Sequence, residues 1–159
     1  MFKELWQLIK WLFTSKPKDV NELEIVEMTY FPFKGFSAMS WCGKLIVHSK
    51  SKISKSLLTH ETIHLKQAQA VGSWIIFYLL YIKEWLMGNP FKVPFISAYY
   101  TICYEMEAYA NENNSEYAGS YDDDNINKYR LMHKKETYKE QGETLRQWIE
   151  YIRTLNNKW

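Results

Sequence analysis

Residues 57–71 read Leu57-Leu58-Thr59-His60-Glu61-Thr62-Ile63-His64-Leu65-Lys66-Gln67-Ala68-Gln69-Ala70-Val71, and the fold turns on how this stretch is read. At about 100° per residue, Leu57, Leu58, Leu65, Ala68 and Val71 share one sector, as an amphipathic helix requires. Thr59, Thr62, Lys66 and Gln69 take the opposite side. Ser54 or Ser56 supplies an N-cap, and Gly72-Ser73 marks a break or bend. His60, Glu61 and His64 fall inside the apolar sector, where ionisable groups buried without partners would each cost several kcal/mol.

On a helix His60 and His64 stand about 40° apart, so both imidazoles can reach one ion, and Glu61 can lean toward the same place. This is the HExxH spacing, in which two histidines hold zinc and the glutamate works on water rather than on the metal. A blander reading uses the same residues, with imidazoles bonded to core carbonyls and Glu61 paired to a lysine. A catalytic site needs a third ligand and keeps its fourth position for water. The extended form HExxHxxGxxH is absent, since Gln67 and Ala70 stand where its glycine and last histidine would be. The next candidates are Glu105 and Glu107, unexpected carboxylates in the aromatic stretch Tyr104–Tyr109. An exposed helix face is the alternative for either one.

Outward from this helix, residues 54–159 read as helical. The run Trp74–Ile82 belongs to a helix over 74–87, ended by Gly88-Asn89-Pro90. It falls well short of the ~20 residues that span a bilayer and reads as a buried helix. Residues 97–113 suit another helix, 114–125 an exposed loop with Asp122-Asp123-Asp124, and 126–155 a final long helix. Residues 22–48 form a small β region, with a strand over 23–31 and one or two short strands over 37–49 turning near Gly43. Residues 1–16 give an amphipathic helix, with Phe2, Leu5, Trp6, Ile9, Leu12 and Phe13 at helical spacing. Packing on its own domain is one use for residues 2–13, and contact with a membrane surface or a protein partner is another. The class is α+β: one mainly helical domain over 1–159, with a small N-terminal sheet before the HExxH helix.

Composition limits the partners. Twenty basic against 18 acidic residues give no electrostatic case for nucleic acid. Cys42 and Cys103 form no CxxC pair and read as buried free thiols of a reducing compartment. Gln7 and Lys10 interrupt the first apolar run and no small-residue cleavage site follows, so a cytoplasmic location is expected, with peripheral membrane association left open.

With these motifs placed, the chain resembles the gluzincin zinc peptidases, where HExxH is completed by a glutamate on a later helix reading E-x-x-A-D. Laid on this sequence, the pattern implies Glu105 as the third zinc ligand and sets Ala108 in its alanine position. Glu107 is the runner-up, and Tyr109 stands where the class has an aspartate that orients a zinc-bound histidine. More closely, the chain resembles a family of small uncharacterised proteins of Bacteroidetes and their phages. The shared stretches are Pro32–Met39, His60–Gln67 and Tyr104–Glu112. The resemblance covers roughly residues 30–115 and implies a minimal zincin-like domain.

It also implies a zinc-dependent metallopeptidase, a hydrolase acting on a peptide or protein substrate. Glu61 would act as general base, with Tyr109 or His133 as a donor to the tetrahedral oxyanion. The edge of a strand in 37–45 would hold the substrate backbone. The competing function is a non-catalytic peptidase-like fold serving as a subunit of a larger assembly.

Overall fold

The computed structural model describes residues 1–34, 36–49, 53–88, 95–135 and 145–156. Helix α1 (Phe2–Thr14) lies beside a three-stranded sheet and is tied down from its first turn and its middle. The Glu4 carboxylate accepts from the N–H groups of Thr29 and Tyr30 at 2.9 and 3.0 Å. The Trp41 indole donates to the Leu8 carbonyl at 2.9 Å. A 3-10 turn over Pro17–Asp19 leads into the sheet.

The sheet comprises β1 (Glu24–Glu27), β2 (Ala38–Trp41) and β3 (Lys44–Val47), in the order β1-β3-β2. β1 runs parallel to β3, while β2 and β3 form an antiparallel hairpin. Its two-residue turn puts Cys42 at φ 51° and Gly43 at φ 80°, the left-handed pair that a tight hairpin demands. A Cβ at residue 43 would also lie 2.7 Å from the Val20 side chain, so glycine is required there twice over. β3 is the buried centre of the sheet, and β2 is left as an edge.

Helix α2 (Lys55–Val71) begins at Ser54, whose hydroxyl accepts from the Leu57 N–H at 3.1 Å, and ends at Gly72 with φ 80°. It buries Ile63, Leu65 and Ala68 together with the polar Thr59, His60, Glu61, His64 and Gln67. Helix α3 (Trp74–Met87) starts on the Ser73 cap. It buries only Trp74 and Phe77, and Ile75, Ile76, Leu79, Ile82, Leu86 and Met87 are exposed, so the expected buried helix has one face outside.

The expected single helix over 97–113 is two helices, α4 (Phe95–Tyr100) and α5 (Cys103–Asn111). Ile102 is extended between them, and the Cys103 N–H donates to the Glu84 carboxylate of α3 at 2.9 Å. A carboxylate from a neighbouring helix thus caps the start of α5, where no local residue does. Helices α6 (Asn125–Lys135) and α7 (Leu145–Asn156) mark the two ends of the expected final helix. Residues 136–144 between them lie outside the described residues.

The loop over 114–125 is not simply exposed. Ala118 is buried with Ile63 and Ala108, and the Tyr117 and Tyr121 hydroxyls donate inward to Glu107. The architecture is mainly helical α+β with a small N-terminal sheet, and α2 and α5 pack face to face across its centre. Among the described residues, no single helix is long and apolar enough to cross a membrane.

Candidate metal centre

The α2–α5 contact brings His60, His64 and Glu105 together, all buried. The His60 and His64 Nε2 atoms are 3.2 Å apart. Glu105 meets His60 Nε2 through Oε2 at 3.2 Å and His64 Nε2 through Oε1 at 3.1 Å. Donors at about 2.1 Å from a tetrahedral ion lie about 3.4 Å from one another, so these separations match a shared centre. The Oε2 atom of Glu105 is buried and has no hydrogen-bond partner of acceptable geometry, despite its closeness to His60. A short distance without alignment is what results when both groups aim at a common point between them. The cluster can hold a metal ion.

Both imidazoles are fixed from behind. His60 Nδ1 lies 3.3 Å from the Glu112 carboxylate, which also accepts from Arg153 at 3.0 Å. His64 Nδ1 lies 2.7 Å from Gln67 Oε1. The Gln67 amide nitrogen donates to the Tyr104 carbonyl at 3.0 Å and to Glu107 Oε2 at 2.9 Å. A backbone carbonyl only accepts, so the Gln67 NH₂ faces Tyr104 and its oxygen faces His64. His64 therefore donates from Nδ1, and His60 donates likewise to a carboxylate. Each ring keeps its Nε2 lone pair for the centre, the arrangement that orients metal-binding histidines.

The carboxylate support expected from an aspartate at position 109 is supplied three residues later, by Glu112. Glu105 and Glu112 are seven apart, two helical turns, and so share a face of α5. That spacing was available in the sequence. Tyr109 instead sets its ring edge-on to His60, with centroids 4.5 Å apart. Glu107, the other ligand candidate, is turned away toward Gln67, Tyr117 and Tyr121 and stands in the support behind His64.

Electrostatics follow from the geometry. Burial pushes His60 down, but the Glu105 and Glu112 carboxylates outweigh it and raise the ring to about 10. Burial likewise opposes protonation of His64, and Glu105 again raises it. Burial works against the Glu105 carboxylate, yet the two imidazoles hold it well below the usual range. Glu61 moves the other way: burial raises it, partly offset by both histidines. The site as built attracts positive charge.

A cleft of about 450 Å³ opens over Glu61, His64 and Glu105. Its wall includes Ser40 and Trp41 of β2, and its other lining is mostly aromatic and aliphatic, with Phe33, Phe77, Tyr78 and Ile82 among it. Beside the two-residue turn Trp41–Lys44 is the hydrogen-bonded pair, so the Ser40 N–H points away from β3, where it helps to lower the Glu61 pKa. In a strand the N–H and C=O of one residue point the same way, so the free edge of β2 faces the cleft. The Tyr81 phenol bonds Glu105, and with Tyr78 and Tyr99 it lines the cleft, whereas Tyr109 does not. Burial raises all of these phenols above their ordinary values, helped by Glu105 at Tyr81, Tyr99 and Tyr109 and by Cys42 at Tyr78. His133 sits on α6, and its side chain lies outside the described residues.

Compared with family models, with curated proteins and with solved structures, the chain matches none. What the site can do therefore rests on its own atoms.

Proposed function

We propose that this protein is a zinc-dependent peptidase. The observation that carries the reading is the pair of Nδ1-anchored imidazoles, which turn both Nε2 atoms and the Glu105 carboxylate to one point beside Glu61. Two imidazole nitrogens and one carboxylate suit zinc; calcium and magnesium prefer all-oxygen sites. Three protein donors, the full set found among the described residues, leave the fourth position that catalysis needs and a structural site would close.

A cation held there supplies Lewis acidity to a water and to a substrate carbonyl. Glu61 takes the proton of the attacking water and returns it to the departing amine. Its raised pKa brings it closer to the working pH of a general base. The free edge of β2 offers backbone groups to an extended peptide, and the apolar lining selects bulky side chains. Tyr99, on the cleft wall, takes the oxyanion-donor role considered for Tyr109, while the Tyr81 hydroxyl is spent on Glu105.

The test compares Glu61→Gln with the wild type for bound zinc and for cleavage of an unfolded protein substrate. Zinc retained with cleavage reduced at least about a hundredfold supports the reading. Zinc bound equally by both, with no cleavage by the wild type, would instead leave a non-catalytic scaffold.

A further inference from the structure

Helix α3 is apolar all round, yet Ile75, Ile76, Leu79, Ile82, Leu86 and Met87 are exposed. On a helical wheel they fill a sector of about 140°, interrupted only by Lys83. A helix of this kind requires an apolar environment on its outer side too. Helix α1 repeats the arrangement: Phe2, Leu5, Trp6, Ile9 and Phe13 are exposed in a sector of about 100°, bordered by exposed Lys3 and Lys10. The carboxylates of both helices are committed to partners away from these faces. Glu4 holds the amides of Thr29 and Tyr30, and Glu84 holds the Cys103 amide and Arg130. Lysines are thus the charges that border the exposed apolar faces.

We propose that these faces of α1 and α3 seat the chain on an anionic lipid bilayer. Acyl chains need no hydrogen bonds, and lysine stems reach from an apolar face to the headgroups. A protein partner of similar area would be met by about one hydrogen bond per 100–200 Å² and a rim of both charge signs, and the α3 face offers only the Lys83 ammonium. Trp41 joins the two helices, bonded to Leu8 of α1 and stacked 4.4 Å from Tyr78 of α3. Ile82 belongs both to the exposed face and to the cleft wall, and Phe33, 61% exposed, lies on the same cleft. Docking through α3 therefore brings the mouth of the cleft to the interface. On the peptidase reading, the substrate is then an apolar segment presented at a membrane surface; the docking itself does not depend on that reading.

Sedimentation with vesicles tests the docking with neither substrate nor cleavage. The arms are phosphatidylcholine alone and an equimolar mixture with phosphatidylglycerol, using the full chain, Leu79→Glu and Trp6→Glu. Both substituted positions are exposed, and far-UV circular dichroism checks that the fold is kept. The wild type is expected to pellet with the anionic vesicles, more weakly with the neutral ones, and each substitution to weaken binding about tenfold or more. A wild type that stays in solution with both vesicles overturns the proposal, as does a Leu79→Glu chain that pellets unchanged. A dimer that Leu79→Glu dissolves, without vesicle binding, assigns the face to a second copy instead.

Discussion

Replacing Glu112 tests the centre where its construction departs most from the sequence pattern. In Glu112→Ala the His60 Nδ1–H loses its acceptor at 3.3 Å, and nothing fixes which ring nitrogen carries the proton. An unsatisfied buried donor costs about 1–3 kcal/mol, which is about 5- to 150-fold in an equilibrium constant. Loss of an outer partner of a metal-bound histidine typically lowers affinity about 10- to 100-fold. The Glu112 side chain keeps 20% of its exposure, so water can partly replace it, and a loss of about thirtyfold is expected. Glu112→Gln keeps an acceptor without the charge and should lose nearer tenfold. Arg153 retains Glu150 at 2.8 Å, so the fold should survive both changes. Zinc competition against a chromophoric chelator reads the affinities, with Tyr109→Phe as the contrast that should stay within about twofold of the wild type. If Glu112→Ala binds zinc as tightly as the wild type while Tyr109→Phe does not, the support of His60 has been assigned to the wrong residue.

Two further outcomes follow from the buried polar groups. Gln67→Ala strips acceptors or donors from His64, Glu107 and the Tyr104 carbonyl at once, so the metal-free protein should lose about 2–4 kcal/mol, read as a Tm lowered by about 5–15 °C. Burial, eased slightly by the Tyr78 hydroxyl, pushes the Cys42 thiol from 9.0 to about 12. The folded chain then keeps a proton that the unfolded chain releases, so this thiol's contribution to stability is level below pH 9.0 and falls as pH rises from there toward about 12. Denaturant titrations of the wild type and Cys42→Ala should show that slope in the wild type and a shallower one in the variant.

Local chemistry made part of this legible. The Ser54 cap, the Gly72 stop and the turn at Gly43 are each set by neighbouring residues, and the HExxH spacing names its own candidate ligand pair; the apolar sector of α2 is rotated from the one expected, with Leu58 exposed and Thr59 and Ile63 buried. The break before α5 was not readable, because its cause is Glu84, 19 residues earlier in sequence and on another helix. The inward turn of Tyr117 and Tyr121 has the same origin: a tyrosine-rich loop looks exposed until a buried carboxylate elsewhere needs its hydroxyls. Exposure of α3 was hidden for the opposite reason. Uniform apolarity leaves no periodic signal to say which face is covered.

The deeper question is why a small core tolerates His60, His64, Glu61 and Glu105 at all. Apolar side chains of similar volume would often stabilise such a place as well or better. With each Nδ1 already donating, neutral rings would set two Nε2 lone pairs 3.2 Å apart and next to carboxylate oxygens at 3.1 and 3.2 Å. That arrangement repels itself unless positive charge lies among the four atoms. Protons can supply it, which is why His60 is raised to about 10 while Glu105 is held low. A divalent cation supplies it better, because it meets all the donors at once and is not confined to one of them. Metal binding should then displace protons from the imidazoles, so loading at constant neutral pH acidifies a weakly buffered solution. Bonds to core carbonyls are not what these histidines make: their Nδ1 atoms meet Glu112 and Gln67, and their Nε2 atoms converge on Glu105.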